Sequence, residues 1–236
     1  MTIYYKLTTQ EGMTQNNTQW GENLTHEATG DIKQGLCSDA WIHAYTHPLL
    51  AVLMNPAHAD IENPILWEGK GEGEAKFESL KCGFRKFTTL KKIPLPEVNV
   101  VQKAAFGILC AKEINTDSSW NQWADKWLSG EDRTKSSAYA AANAANAAAA
   151  YAAFDAAANA AYAAAYVAYA ANAAANAADA DVANAAANVA NAAANAAKYA
   201  ADAAYAAYAA KAASTAKAMG KELDFVSIAL KAMEGK

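Results

Sequence analysis

The sequence lacks the features that mark several classes of protein. Its three cysteines, Cys37, Cys82 and Cys110, are far apart, and no Cys-x-x-Cys pair occurs among the 236 residues. A disulfide framework and a zinc site are therefore not predicted, and a reduced setting inside a cell is favoured. No apolar run has the length of a signal peptide or a membrane span, so we expect a cytoplasmic protein without a membrane partner.

Clustered positive charge is also missing. The chain carries 20 Lys and Arg against 24 Asp and Glu, a formal net charge of −4, and no dense basic segment. Binding to nucleic acid through its phosphates depends on clustered cations, so a nucleic-acid partner is not predicted.

What the sequence does contain changes sharply near residue 130. Before that point large apolar residues are interspersed with turn residues, and after it alanine dominates. We predict an α+β N-terminal domain over residues 1–130, followed by a long alanine-rich α-helical region over residues 131–219. This region is expected to form a coiled-coil-like rod or a helical hairpin, and residues 220–236 a short C-terminal helix.

The N-terminal part reads as short strands, turns and helices. Residues 10–35 are polar and predicted to be loop, and Gly69–Gly73 is predicted to be a turn. Pro48 is expected in the first turn of a buried helix, and Gly130 at the end of another. Strands are predicted at Ile3–Thr8, Trp41–Tyr45, Ile65–Glu68 and Phe84–Leu90, and helices within Pro96–Ile114 and Trp120–Leu128.

The alanine-rich tract contains no glycine and no proline from Ala138 to Ala213. Alanine has the highest helix propensity, so one helix from Asp132 to Met219 would measure about 130 Å. Asparagine, aspartate and tyrosine recur in steps of three and four, the spacing of a supercoil seam. The sequence leaves open whether this stripe packs or is compositional drift. The rhythm slips at Asp179–Asp181, where the helix is expected to fold back if it forms a hairpin.

Four histidines lie in the first part, but their pattern is not that of a metal site. His43 and His47 are four residues apart, yet Pro48 keeps the preceding residue extended, so the two do not share a helical face. Cys37 and His43 are a candidate nucleophile–base pair, although buried structural roles are favoured for both. We assign no catalytic residue, no metal ligand and no cofactor.

Several of these residues resemble a motif in an uncharacterised family of phage and prophage proteins. The resemblance rests on Gly35-Leu36-Cys37, Trp41-Ile42-His43-Ala44, Pro48-Leu49 and, later, Leu66-Trp67-Glu68-Gly69 and Lys81-Cys82-Gly83. In that family a small His/Cys-motif domain precedes a repetitive tract. In this chain Ile42 replaces the usual glycine beside the histidine. The resemblance covers residues 1–130 and implies a location in the host cell cytoplasm.

The same pattern is more distantly similar to compact ADP-ribosyltransferase-like folds, which place a His or Tyr after an early strand to hold nicotinamide. Only His43 has a counterpart there, with Tyr45 as a stacking partner, and no glutamate is assigned to catalysis. The similarity therefore implies binding of a nucleotide-like ligand more than it implies an enzyme.

Four functions are weighed on these grounds. The first is a structural or interaction protein of phage or prophage type, a homo-oligomer that associates through its alanine-rich helices. The alternative is a protein that binds or sequesters a small nucleotide-like ligand through Cys37, Trp41, His43 and Tyr45. An enzyme is the third reading. An ice-binding protein is the fourth, and the lack of threonine in the tract before Thr215 counts against it.

Overall fold

The chain divides into two compact units. The computed structural model describes residues 2–14, 17–134, 136–141, 206 and 209–234. The first unit comprises Met1–Glu97 with Asp224–Ala229, and the second comprises Val98–Leu223 with Leu230–Lys236. Each unit is considered by itself. The domain boundaries expected from composition, at residues 130 and 219, stay a prediction.

The first unit is built on antiparallel strands and one helix. Strands β1, β6, β7 and β4 lie side by side in that order. Strand β5 also pairs with β7, at residues 82–84, whereas β4 pairs with residues 86–88. Strands β2 and β3 form a separate pair. The elements are β1 Tyr4–Thr8, β2 Met13–Thr14, β3 Thr18–Gln19, β4 Thr25–Glu27, β5 Ile42–Ala44, α1 Pro48–His58, β6 Ile65–Phe77 and β7 Cys82–Ile93.

The main sheet closes on itself through one isolated bridge. Tyr5 of β1 and Tyr45, next to β5, exchange two backbone hydrogen bonds of 2.9 and 2.8 Å. Since β1 also pairs with β6, the strands run round a barrel-like circuit β1–β6–β7–β5. An aromatic cluster that includes Trp20, Phe84 and Phe87 packs on one face of this sheet.

Most strands and helices of this unit match the sequence-based prediction. The strand predicted at Ile3–Thr8 is β1, the one around Trp41–Tyr45 contains β5, and Pro48 opens α1 as expected. His47 is extended, at φ −144°, and its Nδ1 accepts a hydrogen bond from the Leu49 amide at 3.2 Å. The residue before Pro48 is thus extended, as the sequence predicts, and His47 caps α1 while His43 lies in β5.

Two local predictions are wrong. Residues 10–35 are not all loop, since β2, β3 and β4 lie within them. The segment Gly69–Gly73 is no turn but the middle of β6. Its glycines at alternate positions leave room for aromatic rings on β7: a Cβ on Gly69 would lie 2.5 Å from the Phe87 ring, and one on Gly71 would lie 2.1 Å from the Phe84 ring. Here glycine serves close cross-strand packing.

The described helices of the second unit have well-defined ends. Helix α2, Val100–Lys112, begins with a reciprocal capping box between Asn99 and Gln102. Helix α3, Ser118–Ser129, begins at Asp117, whose Oδ1 accepts from the Trp120 amide, and ends at Gly130 in the left-handed conformation at φ 83°. The expected stop at Gly130 is confirmed. Trp120, Trp123 and Trp127 are all buried.

The predicted fold class is wrong about the long alanine-rich helical region. Among the described residues, every helix is short: residues 131–134 are not helical, residues 136–141 and 209–218 are, and a separate helix α4 spans Phe225–Glu234. Gly220, at φ 68°, lies between the last two. High helix propensity does not override left-handed glycine stops such as this one and Gly130. The expected fold-back at Asp179–Asp181 lies outside the described residues.

Alanine nevertheless packs at both described ends of the tract. Ala138 and Ala141 are buried, and so are alanines spaced by three and four residues near its end, Ala206, Ala209, Ala212 and Ala216. That spacing is one helical face. No helix within the described ranges is both long enough and apolar enough to span a membrane.

Candidate functional site

The pairing of β5, β7 and β6 places several basic side chains on one face of the sheet. His43 of β5 lies opposite Gly83 of β7, and Gly83 lies opposite Lys76 of β6. Residues at paired positions project to the same face of a sheet, and so do residues two apart along a strand. Arg85 therefore shares this face, and Lys81 lies next to it, one residue before β7 begins. We call Lys76, Lys81, Arg85 and His43 the basic face.

Residues 30–40, here called the strap, lie directly over Gly83. A Cβ on Gly83 would lie 2.3 Å from Leu36 Cδ1 and 2.8 Å from Trp41 Cβ, so only glycine permits this approach. Leu36, Ala40 and Trp41 form a buried cluster. The strap is thus held close to the sheet by packing at one glycine.

Side-chain donors from the sheet hold the carbonyls of the strap. Arg85 Nη1 donates to two of them, at the start and the end of the strap, and each of three further side chains donates to one. The acceptors are Gly30 O (2.8 Å) and Ala40 O (2.6 Å) for Arg85, Gln34 O for Lys76 Nζ (3.2 Å) and Trp41 Nε1 (3.2 Å), and Leu36 O for His43 Nε2 (2.5 Å). These bonds satisfy backbone groups that no β-ladder reaches.

His43 is a positioning residue in this arrangement. Because Leu36 O can only accept, Nε2 of His43 carries the proton, and the backbone carbonyl of His43 accepts from Lys6 Nζ at 3.0 Å. Burial lowers the pKa of His43, and the nearby Lys81 and Lys6 ammonium groups lower it further, while the bond to Leu36 O and Glu78 oppose them. The imidazole is therefore neutral near pH 7.

Cys37 lies at the exposed part of the strap, and its sulfur accepts a hydrogen bond from Lys81 Nζ at 2.8 Å. For the candidate pair of Cys37 and His43, the described hydrogen bonds join each residue to another partner, Cys37 Sγ to Lys81 Nζ and His43 Nε2 to Leu36 O. The two residues are brought to the same face, but lysine is the direct partner of the thiol. Nucleophilic catalysis by a cysteine–histidine pair has no geometric support here.

The two aromatic residues expected to contact a ligand are both core residues. Trp41 is 7% exposed and Tyr45 is 6% exposed, so neither offers a free ring face for stacking. The Nζ atom of Lys76 lies 5.9 Å from the ring centroid of Trp41. Tyr45 instead contacts His58, at the end of α1, with its hydroxyl 3.3 Å from Nδ1 and the rings stacked. Their assignment to ligand binding stays a prediction.

His58 was missed by sequence reasoning, and its environment is unusual. Burial lowers its pKa to about 4, and the charges of Lys81 and His43 act in the same direction. Burial likewise raises the pKa of Tyr45 well above its ordinary value, with Cys82 contributing. The neutral imidazole of His58 and the neutral phenol of Tyr45 thus contact each other, next to the end of β5.

Lysines of the same hairpin differ in whether a carboxylate is bound to them. Lys70, Lys86 and Lys91 form ion pairs with Glu72, Glu27 and Glu68, at 2.7, 3.1 and 3.3 Å. Within the described part of the chain, Lys76, Lys81 and Arg85 have no such pair, and donate to carbonyls and a sulfur. The alternation of Lys81, Gly83 and Arg85 is the sequence signal that could have revealed this face.

Lys6 is a further cation without a carboxylate partner among the described residues. Its ammonium is 4.6 Å from the Trp20 ring centroid and donates to His43 O. The residue is 7% exposed, and burial lowers the pKa of its ammonium to about 8. A buried lysine of this kind is costly, and it raises the positive potential behind the basic face.

Neither metal ligation nor kinship assigns a function to this site. In the ranges that the structure describes, no three His, Cys, Asp or Glu side chains are grouped as ligands of a metal ion. No family model matches the chain, and neither a curated protein nor a solved structure matches it. The kinship with phage proteins therefore stays a prediction, and function must be argued from the basic face.

Proposed function

We propose that the first unit binds a small anionic ligand that carries phosphate, such as a nucleotide, at Lys76 and Lys81. The observation that carries the proposal is the lack of a carboxylate partner at these two lysines among the described residues, on a hairpin where Lys70, Lys86 and Lys91 are ion-paired and Lys92 lies over the Trp67 ring. Each ammonium has three donors and uses one of them in a described hydrogen bond. Phosphate oxygens are strong acceptors for an ammonium, stronger than the carbonyl oxygen and the sulfur that Lys76 and Lys81 contact here.

The geometry also defines how such a ligand would be recognised. Because Trp41 and Tyr45 are buried, the base of a nucleotide has no aromatic face to stack on at these residues. Recognition would then rest on charge and would weaken as salt screens the half-buried Lys76 and Lys81. Phosphate number should matter more than base identity.

Thermal stabilisation of the full-length chain tests this proposal. A ligand that binds the folded state at about 100 times its Kd stabilises by about 2.7 kcal/mol. Inorganic pyrophosphate and adenosine diphosphate should raise the melting temperature at low salt, and adenosine should not. The double variant Lys76→Met/Lys81→Met should lose this response.

The matched control is Lys86→Met/Lys91→Met, which removes the same charge from ion-paired lysines of the same hairpin. It should keep the ligand response. Equal loss in both double variants would show a general charge effect, and no stabilisation by any phosphate compound would refute the proposal.

Self-association through the alanine-rich region is the second candidate function. It is favoured by the buried alanines at three- and four-residue spacing, Ala206, Ala209, Ala212 and Ala216, which show that this composition packs closely against protein. These four are covered within one chain, so an intermolecular contact would use other residues of the tract. Light scattering on the purified chain tests it: a monomer at all concentrations would refute self-association.

A further inference from the structure

Lys81 binds a sulfur where stronger acceptors would compete. Its Nζ lies 2.8 Å from Cys37 Sγ, and sulfur is a weak hydrogen-bond acceptor. A phosphate oxygen forms a stronger, charge-assisted bond with an ammonium. We propose that a phosphate-bearing ligand displaces Cys37 from Lys81, so that ligand binding is coupled to release of the exposed part of the strap. This inference rests on the proposed function and concerns how the same site responds.

The anchors of the strap make a local release feasible. Lys76 and Lys81, the two lysines proposed to bind the ligand, hold the strap at Gln34 O and at Cys37 Sγ. The neighbouring Gly35 is exposed and has no atom within 4 Å of a Cβ built on it, so this stretch has space to move.

The remaining anchors confine that movement. Arg85 donates to Gly30 O and Ala40 O at the two ends of the strap, and His43 donates to Leu36 O. The ligand is proposed to bind at Lys76 and Lys81, so it does not need to break these three hydrogen bonds. Leu36 is 1% exposed and packs over Gly83. Ligand binding should therefore free Cys37 and its exposed neighbours while the rest of the strap stays on the sheet.

Alkylation of Cys37 by iodoacetamide, followed by peptide mass spectrometry on the full-length chain, measures this coupling. Cys82 and Cys110 are buried and free, which leaves Cys37 as the exposed thiol. Saturating pyrophosphate should speed alkylation, because the released Cys37 Sγ is no longer held against Lys81 Nζ. Lys81→Met should be alkylated fast without ligand and be insensitive to it, whereas Lys91→Met should behave like the parent.

Linkage supplies a second readout. If the ligand displaces Cys37, removing the competing sulfur must change ligand affinity by the same coupling. Cys37→Ala should bind pyrophosphate more tightly in a calorimetric titration, and Cys110→Ala should not.

The outcomes separate the two proposals. Stabilisation by pyrophosphate with an unchanged alkylation rate and an unchanged affinity in Cys37→Ala would overturn the coupling and leave the ligand site standing. No binding of pyrophosphate to the native chain would overturn both.

Discussion

Tryptophan is used differently in the two units of this chain. In the first unit three buried indoles donate hydrogen bonds. In helix α3 the Nε1 atoms of Trp123 and Trp127 are buried and have no acceptor among the described residues. The acceptors in the first unit are Thr14 Oγ1 for Trp20, Gln34 O for Trp41 and Thr8 Oγ1 for Trp67, at 3.0, 3.2 and 2.9 Å.

The difference separates two ways of building a core. In the first unit the indole N–H of each tryptophan selects one partner, six or seven residues away for Trp20 and Trp41 and 59 residues away for Trp67, so loop position and strand register are both specified. In α3 the tryptophans lie on one helical face, and Trp123 and Trp127 contribute buried area and ring contacts without an indole hydrogen bond among the described residues. Substitutions should therefore be felt differently in the two units.

The largest loss of stability should come from adding a side chain at a glycine of β6 that lies against an aromatic ring of β7. Gly71→Ala places a Cβ 2.1 Å from the buried Phe84 ring, so we expect a loss of about 3 kcal/mol in the free energy of unfolding, measured by urea denaturation. Gly35→Ala is the control, since nothing lies within 4 Å of its Cβ. Similar stability of both variants would mean that the Gly71–Phe84 contact does not constrain the sheet.

The same test in the second unit uses alanine, the smallest side chain of its helices. Ala212 is fully buried, so Ala212→Leu should cost about 2 kcal/mol through overpacking. Ser214→Leu, two residues away and exposed, should be close to neutral. If Ala212→Leu melts like its control, the alanine face is not closely packed.

Matched tryptophan substitutions address the hydrogen bonds directly. Trp67→Phe removes an indole donor and leaves Thr8 Oγ1, in a fully buried residue, without it. Trp127→Phe removes a similar volume and also an indole N–H that has no acceptor. Trp67→Phe should therefore cost about 1–2 kcal/mol more than Trp127→Phe in denaturant unfolding. Equal costs would show that the two cores do not differ in this way.

The smallest effect concerns the buried ammonium of Lys6 and appears as pH dependence. Burial lowers its pKa from 10.5 to about 8, so between these pH values the unfolded chain binds more protons than the folded one. The contribution of Lys6 to the free energy of unfolding therefore rises as the pH increases from about 8 to 10.5. Below about pH 8 the full cost of burying the charged ammonium applies.

Lys6→Met should accordingly be more stable than the parent at pH 7, by about 1 kcal/mol after its hydrogen bond and ring contact are lost. The gain should shrink as pH rises from about 8 to 10.5, in thermal unfolding monitored by circular dichroism. A gain that is constant across that range would show that the ammonium is not the cause.

Several described elements of both units could be predicted from local pattern, and the predictions that failed did so for physical reasons. β1, α1, α2 and α3 were recognisable because apolar spacing and capping residues such as Asp117 act within a few residues. The run Gly69–Gly73 was misread as a turn because its role depends on Phe84 and Phe87, which lie on another strand. Propensity scales carry no information about such a partner.

The candidate site was predictable in part. Cys37, Trp41 and His43 were selected from the sequence, and the structure brings them to one face, but Tyr45 lies beside His58. Lys76 and Arg85 were missed because each is an ordinary charged residue until strand pairing aligns it with Gly83 and the strap.

By itself the sequence determined the change of composition near residue 130, the helix ends at Pro48 and Gly130, and the strands whose apolar spacing is local. Each of these follows from forces that act between residues close in the chain. Only the tertiary structure decided that β6 runs through its glycines and that the strap lies over Gly83. It also decided that, among the described residues, Lys76 and Lys81 lack a carboxylate while Lys70, Lys86 and Lys91 have one. These outcomes depend on which distant residues are brought within a few ångströms, and that depends on strand register, because a shift of one residue would turn every side chain to the opposite face.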